Sequence, residues 1–216
     1  MADSAAPSKA KVWDPNTGFG GNGTNASGFL KQCVRDGPFK NLRPAYWNTD
    51  YNPHCLVRLW LPSPEEGLQE MAGYNYGPDD IEWLNSETVY SSYNGAMESG
   101  PHSSVHIGVG QQDGDLGANN ASPNGMSPFH LHFVRNILRS EKFMLDPIFF
   151  LHHAQVDRLW WQWQQKNPEK RTFEYNTYDG NPAVSLDDLL PMGGFAPDRK
   201  VREFMDIKSP NLCYTY

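Results

Sequence analysis

The run Asp146-Pro147-Ile148-Phe149-Phe150-Leu151-His152-His153-Ala154-Gln155-Val156-Asp157-Arg158-Leu159-Trp160-Trp161 says more about this chain than any other. An aspartate followed by proline opens a helix well. The carboxylate accepts from free N–H groups of the first turn, and proline needs no hydrogen-bond partner at the first helical position. At helical spacing Phe149, His152/His153, Val156, Leu159/Trp160 and Trp163 form one stripe, apolar apart from its imidazoles. A histidine on the buried side of a helix is either a hydrogen-bonded core residue or a metal ligand. The rest of the chain decides between the two.

Upstream, Pro101-His102-Ser103-Ser104-Val105-His106 follows a helix predicted from Asp79-Asp80 through Ile81, Leu84, Val89 and Tyr90 towards Met97. That helix has acidic residues in its first turn, as the helix dipole favours, and is expected to end at Gly100-Pro101. A second helix then starts with Pro101 in its first position, carrying His102, Val105, His106 and Val109 on one face. Its two imidazoles are about 6 Å apart at Cβ, within reach of one ion. If this helix packs against the 146–161 helix, His153 supplies a third nitrogen, as in metal sites inside helix bundles. Either motif alone reads as core packing. Together they favour metal, because three buried unpaired imidazoles would be costly. Three neutral imidazoles suit copper, zinc or iron, and spacing does not choose among them. His54 reads as a loop histidine, and His130 and His132 as exposed rather than liganding.

The 216 residues suit one domain with a real core. Aromatics reach 13%, with seven tryptophans, so rings are expected to carry much of the packing. A net charge of -7 argues against a nucleic-acid binder, which needs a basic face. No apolar run approaches the roughly 20 residues that cross a bilayer. Residues 1–60 are rich in Gly and Pro and read as loops. Gly18-Phe19-Gly20-Gly21-Asn22-Gly23 has the letters of a dinucleotide fingerprint, but neither the strand before it nor the helix after it. A disulfide between Cys33 and Cys55 would close one irregular segment, though spacing alone does not establish it. Residues 167–216 return to loops, with short apolar pieces near 186–190 and 201–205.

Two motifs, Pro101 to His106 and Asp146 to Trp160, strongly resemble the copper-B half of tyrosinases and catechol oxidases. Further stretches are similar to the fungal branch: Thr17-Gly18-Phe19-Gly20-Gly21-Asn22-Gly23, Asp36-Gly37-Pro38-Phe39, Pro53-His54-Cys55-Leu56, and the final Leu212-Cys213-Tyr214-Thr215-Tyr216. The resemblance covers nearly the whole chain. It implies a mainly α protein, a partial antiparallel four-helix bundle of the type-3 copper fold with long irregular loops. It also implies oxidation of phenols and o-diphenols to o-quinones by dioxygen at a pair of coppers, each on three histidines. Carried over, the copper-B ligands are His102, His106 and His153. His153 is preferred to His152 because the family's ligand stands four residues before the aspartate, here Asp157. His152 then lies behind the site, and Asp157 and Arg158 match an acid–base pair that holds helices. Glu98 matches a glutamate that positions water and assists phenol deprotonation. Ser103 stands where some members carry an asparagine linked to monophenol activity, and leans the reading towards diphenols.

Two departures matter. Residues 1–53 contain no histidine, so the copper-A half is missing and the chain, read as the C-terminal half of the domain over 1–216, is expected to hold at most the copper-B ion. The flank where the absent helices should pack is expected to be apolar and prone to self-association. Residues 125–145 interrupt an otherwise good family sequence in frame, as an insertion or a retained intron would. Two other readings stay open: a non-catalytic half-domain that binds one metal or a partner, and a three-histidine zinc hydrolase with Glu98 as base.

Overall fold

The computed structural model describes residues 7–24, 32–47, 50–63, 67–71, 75–111, 114–117, 146–176, 184–192 and 194–216. Residues 125–145, with His130 and His132, lie outside them. The described residues are mainly helical. Helix α1 spans Pro78–Ser86, α2 Tyr90–Met97, α3 Ser103–Gly110, α4 Ile148–Gln165 and α5 Pro168–Arg171. Among the described residues, three small antiparallel ladders of two strands each decorate the loops.

The stripe read along α4 is the buried one: Phe149, His152, Val156, Leu159 and Trp163 all lie inside. Along its upper half it packs on α1 and α2 through Ile81, Leu84, Tyr90, Tyr93 and Met97. Towards its start, Ile148 and Phe149 meet Val109, Leu116, Trp13 and Trp60. Tyr93 touches Trp163, His102 stacks near His152, and Val109 reaches Phe149. Rising numbers on one side therefore meet falling numbers on the other, so the α2–α3 segment runs antiparallel to α4. Rings dominate these contacts, with Tyr93–Trp163 centroids 4.9 Å apart and Trp13–Trp60 5.3 Å apart.

The helix expected over 79–97 is two helices. Val89 is extended, at φ -128° and ψ 138°, and the backbone groups freed by the break find partners far away in sequence. The Glu87 carbonyl accepts from the Trp163 indole at 2.7 Å and from Arg171 at 3.1 Å. The N–H groups of Tyr90 and Ser91 donate to Glu174 and Asn176. Those four partners supply what continued helix would have supplied. The expected stop at Gly100-Pro101 is also replaced. Glu98–His102 forms one wide π-helical turn, with Gly100 at φ -102° and ψ -108°, leading straight into α3. Proline lacks the N–H that would continue the ladder, and the Ser103 hydroxyl instead takes the Glu98 carbonyl at 2.5 Å.

At the start of α4, Asp146 accepts from the Ile148 N–H at 3.1 Å, as its position foretold. Its larger role was not foreseen. Arg58 grips the same carboxylate at 2.7 Å and 3.0 Å, and both side chains are fully buried. The remaining Arg58 nitrogen donates to the carbonyls of Phe19, Gly20 and Gly21. The glycine-rich turn is thus a backbone cradle for a guanidinium, not for a phosphate.

Cys33 and Cys55 are bonded, and Cys213 is free and exposed. The bridge links positions 22 apart, beside the Cys33–Val57 and Val34–Leu56 backbone pairings. Constraining an unfolded loop of that length is worth about 3 kcal/mol. Replacing both cysteines by serine is therefore expected to lower unfolding free energy by about that amount in urea titrations. A change under about 1 kcal/mol would show that the surrounding ladder, rather than the bridge, holds this segment.

Candidate metal centre

His102 leads into α3, His106 lies one turn along it, and His152 and His153 face them from α4. One nitrogen from each of the four falls within 4.8 Å of the others. His102, His106 and His152 are buried, and His153 is half-buried. The sequence-predicted trio is therefore brought together, with His152 beside it.

Hydrogen bonds sort the four rings. The His106 Nδ1 is 2.8 Å from the Leu116 carbonyl, which can only accept, so that nitrogen carries the proton and Nε2 keeps its lone pair. The His106 Nε2 and His153 Nε2 lie 3.3 Å apart. Two imidazoles on one tetrahedral ion with bonds of about 2.0–2.1 Å have nitrogens about 3.3 Å apart, so the pair fits a shared metal. At His102, Nδ1 faces the Glu98 carboxylate at 2.9 Å, which leaves Nε2 for the cluster. A carboxylate or carbonyl behind the ligating ring is the usual way a metal site fixes its histidines. His152 is different. Its Nε2 sits 3.1 Å from the His102 carbonyl, and so must donate there. It buttresses the helix turn that carries His102.

Electrostatics agree with neutral rings. Burial pushes the His106 pKa down to about 3, with His102 adding to the effect. Burial likewise holds His152 well below the usual histidine value, helped by its imidazole neighbours. Neutral imidazole is the ligand form.

The carbonyl that orients His106 is itself anchored. Asp115 accepts from the Val57 N–H at 2.7 Å and returns its own N–H to the Val57 carbonyl at 2.9 Å. Its other carboxylate oxygen is 3.0 Å from His54 Nε2. His54 is thus not a free loop histidine but part of this anchor. Burial is the largest single influence and works against its charge, yet the bonds to Asp115 and the Asn52 carbonyl, with the Asp115 charge, together outweigh it and raise the pKa. Gly110, at the end of α3, lies so close to Gly117 that a Cβ there would collide with its backbone. His54 falls in a stretch picked out from the sequence, but nothing in that stretch points to its partner. His54 and Asp115 are 61 residues apart.

Glu98 holds His102 directly, a use of the carboxylate that the sequence reading had not foreseen. Asp157 takes the hydroxyls of Tyr214 and Tyr216 at 2.5 Å and 2.6 Å, while Arg158 reaches Gln155. The aspartate therefore ties α4 to the C-terminal residues rather than to its neighbour. The Tyr216 hydroxyl also reaches the Ala154 carbonyl.

Residues 3–166 match the family described as the common central domain of tyrosinase. The chain belongs to the tyrosinase family. Among curated relatives, it is 36% identical to the tyrosinase-like protein phomQ2 of Diaporthe leptostromiformis, over 96% of this chain and 48% of that protein. It is 33% identical to tyrosinase ustQ of Aspergillus flavus, over 96% of this chain and 52% of the relative. It is 24% identical to the N-acetyl-6-hydroxytryptophan oxidase ivoB of Emericella nidulans, over 85% of this chain and 52% of the relative. The chain spans about half the length of these relatives. An oxidase-type role is the family's common ground, and tyrosinase membership implies copper. No helix among the described residues is long and apolar enough to cross a membrane.

Proposed function

We propose that this tyrosinase-family chain holds one copper ion on His102, His106 and His153 and serves the oxidation of phenols, o-diphenols foremost, to o-quinones by dioxygen. The observation that carries the reading is the 3.3 Å approach of the His106 and His153 Nε2 atoms, with the far side of His106 already committed to a carbonyl. Held on these imidazoles, copper would supply the redox chemistry that couples phenol oxidation to dioxygen reduction. The protein's part is orientation. Glu98 fixes the His102 ring, Leu116 fixes His106, and Phe149 stacks on His153 with ring centroids 3.9 Å apart. Glu98 is also the group that would take a phenol proton, and Ser103 in place of asparagine favours diphenols.

The half-buried edge of the site lies by His153. Three and two residues before it, Phe150 is 68% exposed and Leu151 46% exposed. This apolar flank suits a complementary set of helices carrying the second three histidines, in keeping with relatives about twice as long. Residues 125–145 are read as an insertion or retained intron, and transcripts lacking the segment would support the latter. The Cys33–Cys55 bridge favours an oxidising compartment.

Purified chain loaded with copper and dialysed is expected to retain one copper per chain by elemental analysis. Two retained coppers would overturn the single-site reading, and zinc retained in preference to copper would favour the hydrolase. Oxygen uptake with catechol tests the oxidase activity itself. A copper-loaded chain without uptake, monomeric with and without copper, would mark it as a non-catalytic half-domain.

A further inference from the structure

The His54 ring is held between two oxygens. Its Nδ1 lies 2.7 Å from the Asn52 carbonyl, and its Nε2 lies 3.0 Å from the Asp115 carboxylate. A carbonyl only accepts, and so does an ionised carboxylate. A neutral imidazole has one N–H and one lone pair, so it would satisfy one of these oxygens and turn its lone pair on the other. The imidazolium donates to both.

The charges around the ring ask for the same form. The His54 side chain is 7% exposed and that of Asp115 is fully buried. Asp115 also feels the charge of Asp146, which is met by Arg58. Among the described residues, two buried carboxylates therefore share one arginine, and His54 is the cation within ion-pair distance of Asp115. The Trp47 ring, edge-on to His54 at 5.1 Å, brings no charge. A buried carboxylate without a counter-charge is costly, and a proton on His54 removes the deficit.

The pair reaches the histidine centre through one stretch of backbone. The other Asp115 oxygen accepts from the Val57 N–H, and the next residue, Leu116, gives its carbonyl to His106 Nδ1. We infer that His54, held as an imidazolium, is a positioning residue for the centre, and that loss of its proton at alkaline pH loosens the Leu116 carbonyl from His106. For metal binding, this control rests on the ligand assignment proposed above. The sign follows from the direction of the His54 shift. Burial, the largest influence, lowers its pKa, and the two bonds with the Asp115 charge outweigh it. A raised folded pKa stabilises the anchor in full below the ordinary histidine value of about 6.5, and that stabilisation is lost as pH rises through the folded value.

Nitrogen-15 NMR of the metal-free full chain follows the His54 and His106 ring nitrogens from about pH 5 to about pH 9, which brackets the histidine range. At about pH 6 both His54 nitrogens are expected to carry protons, and His106 to carry its proton on Nδ1. Raising the pH should remove one His54 proton and, in the same step, bring in the other His106 tautomer. Protection of the Val57 and Asp115 amides against hydrogen exchange should fall by up to about tenfold per pH unit across that step. In His54→Gln the protection should be about tenfold to hundredfold lower, the worth of a charged hydrogen bond, and flat with pH. Circular dichroism reports whether that variant folds, and the pH series on the native chain tests the inference without it. A bare His54 nitrogen at about pH 6, or a His106 tautomer that does not follow the His54 step, would overturn the inference. Copper is absent from every arm, so a chain that failed to hold copper would sink the copper reading and leave this result standing.

Discussion

Arg58→Ala is expected to cost about 3–5 kcal/mol, a large share of the stability of a chain this size. The guanidinium does three jobs at once. It neutralises a carboxylate with no access to water, it satisfies three carbonyls of the glycine-rich turn, and it lies over the Trp13 ring at 5.2 Å. Alanine leaves Asp146 charged and buried at the start of α4, where an uncompensated ion is most damaging. Arg58→Lys restores the charge but not the fork, and should recover only part of the loss. Urea unfolding of both variants at neutral pH is the measurement. A loss under about 1 kcal/mol for alanine would mean that water reaches the carboxylate and that the pair is not the clamp described here.

The second large effect separates two adjacent histidines. His153→Ala should abolish tight copper binding, because it removes one of the three proposed ligands. His152→Asn should weaken it no more than about 10–100-fold, the usual cost of disturbing a partner behind the ligands. Asparagine is the informative replacement, since its amide can still donate towards the His102 carbonyl that His152 holds at 3.1 Å. Competition titrations against a copper chelator give both affinities, and circular dichroism confirms that each variant is folded. The reverse ranking would make His152 the ligand and His153 the buttress.

Much of the centre could be read from the sequence because its parts are local. The α4 stripe repeats at helical spacing, and His102 and His106 are four apart, so their convergence needs only that two amphipathic faces meet. The parts that could not be read are those whose partners are distant. Nothing near Glu87 says that an indole 76 residues away will take its carbonyl and help end a helix there. Nothing near Asp146 says that Arg58 will share it, since that pairing spans 88 residues. His54 looked idle for the same reason: its partner Asp115 is in another loop. Glu98 was visible as a carboxylate near the site, but the wide turn that brings it onto His102 depends on how Gly100 and Pro101 resolve a broken ladder.

The bond from Leu116 to His106 has a consequence for how this centre tolerates mutation. A backbone carbonyl is encoded by no codon, so no replacement of the leucine side chain can delete the contact that sets the tautomer of this proposed ligand. Variation at position 116 is screened only for fitting a closed space. The vulnerability is displaced to neighbours that place the peptide group: Asp115, which locks it to Val57, and Gly110, where any side chain would push the loop away. Inactivating changes should therefore accumulate around the orienting residue and spare it, the opposite of the pattern at His102, His106 and His153.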